Sequence, residues 1–108
     1  MSIEYLSTET IGEKLRHLRE QKELPLRKVA ALLDIDVAIL SKMERGERRL
    51  TKVVVLKLAE IYSHNADDLL VSFLSDRIMY EIQDEDLGEK ALMVTEQRVK
   101  YLKVNRTK

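Results

Sequence analysis

The stretch "LSKMERGERRL", residues 40–50, and the two positions after it place Lys42, Arg45, Arg48, Arg49 and Lys52 around a single glycine, Gly46. Cationic side chains at this density bind anions, and a nucleic-acid backbone presents phosphates at a spacing that a row of them can meet. Other chemistries find less support. Ser41 has no His nearby in the chain to act as its base, so it is not expected to be a nucleophile. His17 and His64 stand alone and are expected to play structural roles. The carboxylates of "QDEDLGE", residues 83–89, do not follow the calcium-loop spacing and read as a solvated turn. There is no Cys, which excludes a disulfide framework and a thiolate metal site. No metal, cofactor, small-molecule ligand or catalytic constellation is therefore expected, and the chain is read as a non-enzyme.

Formal net charge is zero, but the charge is unevenly placed. Residues 1–64 hold 12 Lys/Arg against 10 Asp/Glu, and residues 65–108 hold 7 against 9. Residues 37–52 carry five positive side chains and two negative ones, whereas residues 75–90 carry two positive and six negative. Local potential steers binding more than the total does, so neutrality does not exclude an anionic partner. With four Tyr, one Phe and no Trp, the chain lacks the aromatic platforms of a single-strand binder.

These residues need elements to hold them. At 108 residues and 44% hydrophobic content, the chain can bury the core of one domain. Its apolar spacing is helical. "TIGEKLRHLREQKE" sets Ile11, Leu15 and Leu18 on one face, with Thr10 as N-cap and Glu13 completing a capping box. "PLRKVAALLD" places Pro25 in a first helical turn. "DIDVAILSKMERG" starts at an Asp36 cap and stops at Gly46 in a left-handed conformation. "LTKVVVLKLAEIYSH" is capped by Thr51, "NADDLLVSFLSDRIMYEI" by Asn65, and "DLGEKALMVTEQRVKYLK" forms a last helix. Connections of a few residues force neighbouring helices to pack. The expected fold class is all-α: a compact five-helix domain over residues 8–72, followed by a C-terminal helical extension over 73–108.

The second and third helices, joined by a tight turn, form a helix-turn-helix. Ala30 supplies the small side chain where the two approach, and Ile35 and Leu40 plug the junction. At about 100° per residue, Leu40 and Met43 share one face of the third helix, Val37, Ala38, Ser41, Lys42 and Arg45 the other, and Ile39 lies between.

The segments "IGEKLRHLRE", "LRKVAALLDID", "AILSKMERGERRL" and "VLKLAEIYSHNADDLL" together resemble the XRE-type helix-turn-helix family, the lambdoid phage repressor and Cro-like regulators. The resemblance covers about residues 11–70. It implies a recognition helix from Val37 to Arg45 lying in the major groove of double-stranded DNA. Base reading would fall to Val37, Ala38, Ile39, Ser41 and Lys42, with methyl contacts from the apolar trio and hydrogen bonds from Ser41 and Lys42. Phosphate contacts would come from Arg27, Lys28, Arg45, Arg48, Arg49 and Lys52. The resemblance also implies a structural ion pair between Arg19 and Glu44. Glu23 and Asp34 stand where the family often has Gly, Pro25 where a Ser or Thr cap is usual, and Ser63 and His64 replace a frequent Gly-Val.

The expected function is thus a sequence-specific DNA-binding transcriptional regulator, of the repressor kind, acting as a homodimer on a palindromic operator. The alternative is an antitoxin-like or adaptor protein whose C-terminal helices hold a partner. The apolar positions after the fifth helix, including Leu92, Val99 and Leu102, must be covered, and a dimer surface is the expected cover. No run is long and apolar enough to span a membrane. The N-terminal "MSIEYLSTET", with Glu4 and Glu9, lacks the basic start of a signal peptide, so a cytoplasmic location is expected.

Overall fold

Each helix begins where the chain supplies an acceptor for its first amides. In a computed structural model that describes residues 9–106, α1 (Ile11–Gln21) opens on a reciprocal capping box: Thr10 Oγ1 accepts from the Glu13 amide and Glu13 Oε1 accepts from the Thr10 amide, each at 3.1 Å. α3 (Val37–Glu44) is capped by Asp36, whose carboxylate accepts from the Ala38 amide at 2.7 Å. α4 (Lys52–Ile61) is capped by the Thr51 hydroxyl at 3.2 Å from the Val54 amide. α5 (Ala66–Ile82) begins with the Asn65 side chain accepting from the Asp68 amide at 2.9 Å. α2 (Leu26–Leu33) differs from expectation by one position. Pro25 is its N-cap, in extended conformation with ψ 150°, and no side chain caps the helix. The ring fixes φ and brings no amide that needs a partner, which suits either position. α6 (Gly88–Arg106) completes the six helices of the described residues, among which there is no strand.

The first four helices end in one way. The C-terminal turns of α1, α2, α3 and α4 are closed by left-handed residues, Glu23 (φ 54°), Asp34 (φ 57°), Gly46 (φ 76°) and Ser63 (φ 50°). Each turn shows the paired backbone bonds of a Schellman closure: Leu24 N to Arg19 O at 3.1 Å, Ile35 N to Ala30 O at 3.0 Å, Glu47 N to Lys42 O at 2.8 Å and His64 N to Ala59 O at 2.9 Å. A second bond, from the left-handed residue's own amide to the carbonyl three residues before it, accompanies each one.

The chain divides into two compact units, one through residue 76 and one from residue 77, so that the division falls within α5. The first unit holds the core. Leu15, Val29, Ala30, Leu40, Val55, Leu58, Tyr62 and Leu69 are almost wholly buried there, with Ile11, Leu33, Ala59 and Phe73 beside them. Leu24 and Ile35, which follow the left-handed residues of the first two turns, pack on its margin. A polar seam joins α5 to α1. Asp76 accepts a 2.9 Å hydrogen bond from the Ile11 amide, and Lys14 Nζ lies 2.6 Å from Asp68 and 3.4 Å from Ser72 Oγ. Asp68, Ser72 and Asp76 are four residues apart and so form one helical row. Residue 72, where the sequence suggests that a domain ends, lies inside α5 with Phe73 and Asp76 beyond it in the same unit.

The second unit contains the end of α5, the acidic turn and α6. Gly88 is the one buried residue of α6. Thr95 Oγ1 donates to Ala91 O at 2.8 Å, and Glu96 and Lys100 pair at 3.1 Å along the helix.

Candidate nucleic-acid interface

α3 turns its apolar edge, Leu40 and Met43, into the core. The geometry of a helix then sends Val37, Ala38, Ser41, Lys42 and Arg45 outward. Val37, Ala38, Lys42 and Arg45 are exposed, and Ser41 is half-buried. Ile39 is also half-buried, at the margin between the outer face and the core. The five candidate base readers are therefore together on α3, with Ile39 at their edge.

The glycine in "ERG" ends α3 for a conformational reason. An added Cβ at Gly46 would meet nothing within 4 Å, but φ is +76°, a region that costs L-residues about 1–2 kcal/mol. The chain turns back there, and Arg48 and Arg49 emerge exposed between α3 and α4, with Lys52 exposed at the first position of α4. Arg27 and Lys28 are exposed in the first turn of α2. Arg45 is engaged within the chain, with its Nε 3.4 Å from Glu47 Oε2. Both side chains are more than half exposed, so an incoming phosphate competes with a weak surface pair. Sequence reading had no signal for that pairing beyond the proximity of the two residues.

α3 is set at its angle by two residues of α1. Gly12 is buried where α1 crosses the end of α3, and a Cβ there would lie 2.5 Å from Glu44 O and 2.7 Å from Met43 O. Here space, not backbone handedness, excludes a side chain. The only hint of it in the sequence is a glycine inside a helical pattern. Arg19 then clamps the same end: its Nε donates to Glu44 Oε2 at 2.8 Å and its Nη2 to Glu44 Oε1 at 3.1 Å. Its Nη1 donates to Leu24 O at 2.9 Å, so one guanidinium joins α1, α3 and the turn before α2. The pair is poorly accessible, with 14% of the Arg19 side chain and 5% of that of Glu44 exposed. The hydrogen bonds to Glu44 raise the Arg19 pKa further above its usual value. The Tyr62 hydroxyl is buried with no hydrogen-bond partner, and desolvation, reinforced by the charge of Glu44, pushes its pKa up.

The other candidate chemistries are placed as follows. His17 pairs with Glu9, and His64 with Asp68 at 2.7 Å. Among the described residues, no group of three or more His, Asp or Glu is arranged to hold a metal. None of the described helices is long and apolar enough to cross a membrane.

Two short helices across a tight turn, the second with an exposed outer face and a basic loop behind it, define a DNA-binding helix-turn-helix. The chain belongs to a helix-turn-helix domain family, whose model matches residues 10–70. None of the curated proteins matches it.

Proposed function

We propose that the protein is a sequence-specific transcriptional regulator of the XRE type, a repressor that binds double-stranded DNA as a homodimer on a palindromic operator. The carrying observation is the outer face of α3 with Arg48, Arg49 and Lys52 exposed just beyond it. In this reading Val37, Ala38, Ile39, Ser41 and Lys42 face base edges in the major groove, and Arg27, Lys28, Arg45, Arg48, Arg49 and Lys52 face phosphates. One short helix reads only a few base pairs. Two-fold pairing doubles the contact and places two recognition helices about 34 Å apart, one turn of DNA. The reading assigns the protein no catalysis and no cofactor.

The test is affinity for a duplex selected from a random pool, measured against salt for the native chain and for Arg48→Ala/Arg49→Ala. The slope of log affinity on log salt should flatten by roughly one unit per lost phosphate contact, with weakening on every duplex. An unchanged slope would remove both residues from the interface. An antitoxin-like or adaptor role draws support from one observation, the exposed apolar residues of α6. Stable capture of another protein without affinity for any duplex would favour it.

A further inference from the structure

α6 is a 19-residue helix that leaves apolar side chains exposed on two opposite sides. At about 100° per residue, Leu92, Thr95, Val99 and Leu102 form one row, and Val94 and Tyr101 lie across the helix from it. Charged residues hold most of the strips between, with Met93 and Val104 exposed among them on one side. Helices in proteins draw most of their stability from packing an apolar face, and the exposed apolar side chains of α6 need a cover. The first row keeps the alternating three-and-four spacing of a helix-pairing seam. Ala91 and Thr95 in that face are small enough for close approach.

The charge of the second unit says what the cover is. The turn before α6 and its first three residues hold Asp84, Glu85, Asp86 and Glu89 against Lys90, whereas its second half holds Arg98, Lys100, Lys103 and Arg106 and no acid. Two copies side by side in the same direction would set basic half against basic half. Two copies in opposite directions set each basic half against the other's acidic start. An antiparallel pair is also what a two-fold axis across the helix produces, with each contact made twice.

We propose that the Leu92–Thr95–Val99–Leu102 row of α6 is a self-recognition surface whose occupant is the same row of a second copy, running antiparallel. This rests on the homodimer reading above and adds the surface and its direction. Thr95 of one copy then lies near Val99 of the other, and Leu92 near Leu102.

Because the chain has no cysteine, introduced thiols report on this directly. Full-length Leu92→Cys and Leu102→Cys variants are oxidised separately and as an equimolar mixture, with sedimentation run on the reduced samples. Positions 92 and 102 lie about 15 Å apart along one helix, beyond the reach of about 7 Å between Cα atoms that a disulfide spans. The expected result is a disulfide-linked dimer in the mixture and none in either variant alone. Self-linking of each variant without mixed product overturns the direction. Dimers in sedimentation that link in no sample overturn the surface and leave the homodimer standing. Monomers throughout overturn the homodimer itself.

A second variant keeps the proposal testable if a cysteine disturbs packing. Lys100→Glu/Lys103→Glu should weaken self-association on the order of tenfold in the antiparallel pair, through lost attraction to Glu89 and Glu96 of the second copy. The same change in a parallel pair would relieve repulsion and tighten it, and that sign overturns the proposal.

Discussion

Arg19 and Lys42 lie on opposite sides of one distinction: Arg19 holds α3 in place, and Lys42, in the function proposed above, reads base edges from it. Removing the Arg19 side chain leaves the 5%-exposed Glu44 carboxylate without its fork, and the Leu24 carbonyl without a donor. An uncompensated buried charge costs about 3–5 kcal/mol. Arg19→Ala should therefore lower the unfolding free energy measured in urea by that order, and the double variant Arg19→Ala/Glu44→Gln should recover part of the loss. Lys would not substitute for Arg, because a point charge cannot fill two carboxylate oxygens and a carbonyl together. Lys42, exposed on α3, makes no such contribution to the fold. Lys42→Ala should leave stability unchanged and relax preference at one base position by about 1–3 kcal/mol, read by competition among single-base variants of the selected duplex. A uniform loss across sequences would make Lys42 a phosphate contact. Both residues stand out in the sequence, one through a family pattern and the other through helical phase. Gly12 and the Tyr62 hydroxyl do not, since what matters at each is the neighbour brought there by folding.

At the scale of elements, the starts of helices are easier to read than their ends. Thr10, Asp36, Thr51 and Asn65 accept from amides two or three residues on, so the signal and its target share one short window. The ends depend on backbone handedness, which only Gly46 advertises. Glu23 and Ser63 take the same left-handed turn without the residue that favours it. Left-handed geometry costs about 1–2 kcal/mol, and the greater flexibility of unfolded Gly gives back about 0.5–1 kcal/mol. Glu23→Gly and Ser63→Gly should each stabilise the protein by roughly 0.5–1 kcal/mol, seen as additive rises in thermal midpoint. Asp34 should gain less on the same change, because Asp tolerates this region better. The course of α5 was the least legible. Its hold on α1 runs through Asp76 and the Ile11 amide, 65 residues apart, and no local pattern encodes that pairing.

At the scale of the molecule, the seam between α1 and α5 gives stability a dependence on acid. Hydrogen bonds from Lys14 and then His64 hold the Asp68 carboxyl below its ordinary pKa. A carboxyl depressed in the folded state binds fewer protons there than in the unfolded chain. Its contribution is complete above the unfolded value, near 3.9, and is lost as pH falls through the folded one. The partners are about a quarter exposed, so the contribution is of surface-pair size. Asp68→Asn should cost about 0.5–1 kcal/mol at pH 7, and the gap to the native chain should close below about pH 4. Unfolding by urea at several pH values measures it.

The exposed rows of α6 also bear on dose. On the proposed homodimer reading, a surface covered only in the pair would tie the DNA-competent form to encounter between two chains, so at low abundance its amount would rise with the square of the supply. Halving synthesis would then cut operator occupancy by more than half. In this way the protein would count its own copies, and dilution by cell growth would act on it as a signal.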